Sequence, residues 1–197
     1  MMLRRLGILI VALSVSLSWA PEAFAQAADL SDSSEYLIKA GFIYNFAKFV
    51  DWPATAFAQP DSPIVIGILG IDPFGPLIDQ VVQNKKIGAR SFVVKRLKWG
   101  TDLKELRDCK ILFVGESEKA HIDELVQIVK TLPILTVGET PGFAERGGVI
   151  RFVLEDNRVR FEINVEAAHQ ADLTISSRLL TLARIIQQAN ADARKPG

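Results

Sequence analysis

Three short apolar runs constrain this chain most: Pro63–Leu69 (PIVIGIL), Lys110–Val114 (KILFV) and Ile134–Val137 (ILTV). Each is rich in β-branched residues, too short for a core helix and too continuously apolar for a half-exposed strand. Such runs fit strands buried on both faces. Ser91–Arg96 (SFVVKR) reads as a further strand. Helical stretches separate them. Asp72 caps and Pro73 opens the turn before a short helix over Pro76–Val82, and Asp102–Arg107 gives a helical turn. After Ser117, the residues Ile122, Leu125, Val126 and Val129 recur at i, i+3, i+4 and i+7. Strands alternating with helices predict a parallel sheet with helices on both faces.

The pattern changes near residue 149. Val149–Leu154 and Arg158–Ile163 alternate apolar and polar residues around Glu155-Asp156-Asn157, a hairpin signal. Ile150, Phe152, Leu154, Val159, Phe161 and Ile163 are expected to point inward, and Arg151, Arg158, Arg160 and Glu162 outward. A short helical segment runs from Val165 to His169. Ser176 or Ser177 then caps a last helix with Leu179, Leu182, Ala183 and Ile186 as its core stripe, and the chain frays from about Asn190. The expected fold is a single three-layer α/β domain: a mostly parallel sheet of about four strands, a C-terminal β-hairpin and flanking helices.

Tyr36–Pro53 (YLIKAGFIYNFAKFVDWP) reads as an amphipathic helix capped by Ser31, Ser33 or Ser34 and stopped by Pro53. Ile38, Phe42, Ile43, Phe46, Ala47, Phe49 and Val50 form its expected core face, with Tyr44, Asn45, Lys48 and Asp51 opposite. Glu35 and Lys39 fall within the apolar arc, spaced i,i+4 with the acid first. They sit either where the helix end leaves the core or against a partner.

Met1–Ala25 has the parts of a secretory signal: Arg4 and Arg5, an apolar run from Leu6 to about Leu17, and Ala23-Phe24-Ala25 before cleavage. That run is too short to span a bilayer. Cleavage after Ala25 would remove Arg4, Arg5 and Glu22, leaving 21 basic against 22 acidic residues. A near-neutral chain without a basic block disfavours nucleic acid as a partner. The single cysteine, Cys109, cannot form an internal disulfide, and its place before an apolar run favours a buried structural thiol over a reactive one.

Catalytic signals are weak. Gly67-Ile68-Leu69-Gly70 through Gly75 joins a strand, a glycine turn and a helix start, which can hold an anion on free amides. It lacks the Gly-Lys-Ser/Thr of a P-loop and the dinucleotide spacing, so plain turn chemistry is favoured. His121 and His169 have no acidic or cysteine neighbour at ligand spacing, which argues against a metal site, and no cofactor is called for. Nucleophile elbows and framed catalytic carboxylates are absent from the sequence. In Glu139–Gly148, the paired glycines permit either a tight turn or close approach to another surface. The hairpin arginines with Arg178 form either a solvated face or an acid-recognising patch.

The blocks IKAGFIYNFAKFVDWP, IGILGIDPFG, ILTVGE with FAERGGVIRFV, RFEINVEAA and LTISSRLLTLA, taken in order, resemble the YfiR family of exported bacterial proteins. The resemblance covers almost the whole chain after Ala25. It implies a periplasmic, dimeric, non-catalytic repressor that binds the periplasmic portion of an inner-membrane diguanylate cyclase and lowers cyclic-di-GMP and biofilm formation. The disulfide control known in the family is in doubt here, where Cys109 stands alone. The matching blocks offer Tyr44, Asn45 and Lys48, Glu162 and Asn164, and Ser176, Ser177 and Arg178 as partner- or ligand-binding candidates. A competing reading is a small-molecule-binding or sensor accessory protein, with its ligand at the strand ends near Gly70–Gly75.

Overall fold

The computed structural model describes residues 22–187. The expected signal segment up to residue 21, and the expected fraying from Asn190, lie outside them. Helix α1 (Glu22–Phe49) leads into strand β1 (Val50–Asp51). The next elements are β2 (Ile64–Leu69), α2 (Leu77–Val82), β3 (Lys86–Ile87), β4 (Arg90–Leu97), α3 (Leu103–Asp108) and β5 (Ile111–Val114). After them come α4 (Ile122–Val129), β6 (Leu135–Gly138), β7 (Ile150–Glu155), β8 (Arg158–Asn164), α5 (Val165–Gln170), β9 (Thr174–Ile175), α6 (Ser177–Leu180) and β10 (Arg184–Ile186).

The apolar runs become the centre of one eight-stranded sheet, ordered β10-β8-β7-β6-β5-β2-β4-β3. Strands β4, β2, β5, β6 and β7 are parallel neighbours. The hairpin therefore joins the parallel sheet directly, and within this sheet β7–β8 and β3–β4 are the antiparallel pairs. The three-layer α/β expectation holds, in a sheet wider than the four parallel strands and hairpin read from the sequence.

Alternation along β2 divides the core in two. Ile64, Ile66 and Ile68 pack with Phe113, Val137, Phe152 and Phe161 against α1, α2 and α5. Val65 and Leu69 face the other way, toward Leu106 of α3 and Leu125, Val126 and Val129 of α4. Phe46 of α1 is fully buried, its ring stacked on Phe152 at 5.7 Å and edge-on to Phe161 at 5.2 Å. No described helix is long and apolar enough to cross a membrane.

Several local expectations change. Helix α1 runs through Ser31, Ser33 and Ser34 instead of starting at them, because no proline interrupts residues 22–49. It stops at Phe49, four residues before Pro53, because Val50 and Asp51 turn extended to pair antiparallel with β9, and Ser176 N donates to Phe49 O at 2.8 Å. Ile38 leaves the core face and is 51% exposed. The last helix is a single turn. Arg184–Ile186 instead adds parallel to β8, whose edge offers unpaired backbone groups that two β-branched isoleucines suit. Leu182, expected in a core stripe, is consequently 69% exposed.

The hairpin also departs from simple alternation. Leu154, in the second-last pair before the hairpin turn, is exposed at the end of the hairpin, whereas Glu162, expected outward, is buried. Arg151 Nη1 donates to Glu162 Oε2 at 2.9 Å and Arg184 Nη1 to Oε1 at 3.1 Å. The arrival of β10 beside β8 thus closes over a carboxylate that the sequence pattern leaves in solvent.

Candidate functional site

Helix α1 carries the most informative surface of the described residues. At 100° per residue, Ala40, Ile43, Phe46, Ala47 and Val50 point to the core, and Ser34, Leu37, Ile38, Gly41, Asn45 and Lys48 share the opposite side. Polarity is partly inverted between the two sides. Lys39 lies on the buried arc at 4% exposure, whereas Leu37 and Ile38 are 47% and 51% exposed on the outer stripe. Gly41 opens the middle of that stripe, since a Cβ there would meet nothing within 4 Å.

Lys39 is accommodated by charge. Its Nζ lies 2.5 Å from Glu35 Oε1 and 2.5 Å from Glu139 Oε2, and 4.4 Å from the centre of the Tyr36 ring. Tyr36 Oη donates to Glu139 Oε1 at 3.1 Å. A buried ammonium is tolerable when carboxylates and a π-face replace its water. This resolves the two placements open for Glu35 and Lys39: they seal α1 onto the C-terminal end of β6.

The eight sequence candidates do not converge on one point. Asn45 and Lys48 lie on the outer stripe; Tyr44 flanks it, half-buried, with Phe92 at 5.5 Å and the Lys48 ammonium 4.2 Å from its ring centre. Ser176, Ser177 and Arg178 start α6 at the same end of α1, joined through the Ser176–Phe49 backbone bond. Ser176 Oγ accepts from Arg178 N at 3.2 Å as an N-cap, leaving Ser177 and Arg178 exposed. Glu162 sits on the sheet face turned away from α1. Asn164 is fully buried; it caps α5 by accepting from Ala167 N at 2.9 Å, and its Nδ2 donates to Ala144 O at 2.7 Å.

The glycine turn is closed to an anion. Gly70 N donates to Leu97 O, Ile71 N to Ser117 Oγ, and Phe74 N and Gly75 N to Asp72 Oδ1. Arg96 covers the outside by bonding Asp72, Asp79 and Gly75 O, and its hydrogen bonds hold the Asp79 carboxyl below the usual range. Gly67 serves packing: a Cβ would lie 2.7 Å from the Sγ of Cys109. Cys109 is fully buried there, and burial pushes its thiol up to about 11. In the 139–148 loop, Gly148 admits the Phe143 ring.

The histidine expectation needs one revision. His121 Nδ1 lies 3.1 Å from Glu118 Oε2, and its ring stacks on Trp99 at 4.2 Å. Even so, no group of three His, Cys, Asp or Glu among the described residues could hold a metal.

A family model described as YfiR/HmsC-like matches residues 36–184. The chain belongs to the YfiR/HmsC-like family. The match begins at Tyr36, beside the Lys39 cluster, and ends at Arg184, the partner of Glu162. The family region thus includes the outer stripe from Leu37 to Lys48 and the strand that closes over Glu162. No curated protein matches the chain. Sequence reasoning missed Leu37 as an exposed apolar residue and misplaced Ile38. The signal was present, since on a helical projection Ile38 falls within about 20° of Asn45 and Leu37 within about 20° of Lys48.

Proposed function

We propose that this YfiR/HmsC-like protein is an exported periplasmic repressor without catalytic activity. It binds the periplasmic portion of an inner-membrane diguanylate cyclase and so lowers cyclic-di-GMP synthesis and biofilm formation. Export by cleavage after Ala25 and a homodimeric state complete this reading. Family membership supports it. The observation that carries the assignment of a surface is the exposed Leu37–Ile38 pair, beside a stretch of α1 from Ala40 to Phe49 whose large apolar side chains are buried or half-buried. A partner helix or strand laid along α1 would cover this pair and meet Asn45 and Lys48 as polar rim.

Deleting the gene should raise cyclic-di-GMP and surface attachment in a strain carrying the cognate cyclase. Complementation with Leu37→Asp/Ile38→Asp should fail to restore repression although the purified variant melts like the wild type. Full repression by that variant would remove the outer stripe from the partner surface. Unchanged cyclic-di-GMP on deletion would remove the cyclase reading itself.

A further inference from the structure

Away from the outer stripe of α1, the sheet face that carries α3 and α4 is incompletely covered. Helix α3 is one and a half turns long and packs through Leu106 beside Leu97 and Cys109, so it leaves the first part of β4 bare. The loop at residues 54–63 stands on the other side. Between the loop and the end of α3 lies a cleft of about 550 Å³, within the range of small-molecule sites.

The floor is apolar and the rim is basic. Val65 and Val93 are cross-strand partners on its floor, with the Phe57 ring beside them; Val93 is 39% exposed in mid-strand. Lys95, Arg107 and Lys110 line the cleft against a single acid, Asp108. Lys95 engages Asp108 weakly at 3.3 Å, both side chains being well exposed. Arg107 is exposed and its guanidinium has no partner among the described residues. The C-terminal carbonyls of α3 would ordinarily repel an anion. Here Lys110 Nζ donates to the carbonyls of Arg107, Asp108 and Cys109, using its three donors to neutralise that helix end from below. One face of Phe57 is occupied by the Arg90 guanidinium at 3.6 Å, which fixes the ring as a wall of the cleft.

We infer that this cleft binds a small amphipathic carboxylate, its apolar body on Val65, Val93 and Phe57 and its carboxylate on Arg107. The inference is independent of the partner surface on α1.

The test is a titration of the purified protein with sodium 2-naphthoate and sodium octanoate, and with uncharged 2-naphthylmethanol, followed by amide chemical shifts. Saturable shifts confined to residues 55–63, 93–95 and 107–110 are expected with both carboxylates. Arg107→Glu should weaken binding about ten-fold, the loss of a charge-assisted contact, and Val93→Asp should do the same by charging the floor. Both positions are exposed, and an unchanged melting temperature for either variant qualifies it. The inference is overturned if neither carboxylate shifts these amides, if the alcohol binds as tightly as the naphthoate, or if the folded Arg107→Glu variant binds like the wild type.

Discussion

The Lys39 ammonium of α1 lies 2.5 Å from the Glu139 carboxylate at the end of β6, in an almost fully buried setting. This contact ties the first helix to the fourth parallel strand across a separation of 100 residues. Removing one partner leaves the other charge buried without compensation, which costs about 3–5 kcal/mol in such settings. Lys39→Ala is expected to lower the denaturant midpoint accordingly with an unchanged m-value. Because Glu35 and Glu139 share one cation, Glu139→Gln should cost less than Lys39→Ala. An equal or larger loss for Glu139→Gln would show that the carboxylate acts chiefly through Tyr36.

Phe46 and Lys48 are two residues apart and should behave oppositely. Phe46 is fully buried between Phe152 and Phe161, so Phe46→Ala should destabilise by about 3–5 kcal/mol. Lys48 is exposed and contributes only a contact with the Tyr44 ring, so Lys48→Ala should stay within about 0.5 kcal/mol. Urea titrations of both variants decide the matter; unfolding of Lys48→Ala would make the outer polar residues structural.

Gly67 faces Cys109 across the sheet, and a Cβ at Gly67 would also lie 3.0 Å from Leu112 and 3.1 Å from Leu97. Overpacking predicts a loss of about 1–3 kcal/mol for Gly67→Ala. Replacing Cys109 by Ala removes the nearest obstructing atom, so the double variant should be more stable than the sum of the single losses implies. Strict additivity would indicate that the strand backbone moves instead.

Cys109 also gives the protein an alkaline limit. Its thiol ionises at an ordinary 9.0 when unfolded but near 11 when folded, because burial disfavours the thiolate. Below pH 9 both states hold the proton and the contribution is fully present. Between pH 9 and 11 the unfolded state loses its proton first, so stability falls with rising pH, by at most about 3 kcal/mol. The difference in unfolding free energy between wild type and Cys109→Ala should narrow or reverse over that interval. A pH-independent difference would contradict the burial of the thiol.

The sequence by itself determined the central architecture. Runs such as Ile64–Leu69 and Ile111–Val114 are strands because only a doubly covered parallel strand suits an unbroken β-branched segment, and the 155–157 turn joins a hairpin because its flanks alternate. The order of the blocks also pointed to the family. What only the tertiary structure decided are features whose partners lie far away in the chain. Lys39 can be buried because Glu139 comes to meet it, and Glu162 is buried because β10 brings Arg184 alongside. The terminal segment forms a strand because β8 had an open edge, although its local spacing favours a helix. Helical periodicity located the outer side of α1, but Leu37 and Ile38 became exposed because the sheet meets the side that carries Ala40, Ile43, Phe46 and Ala47, where Lys39 is tolerated through its pairing with Glu139.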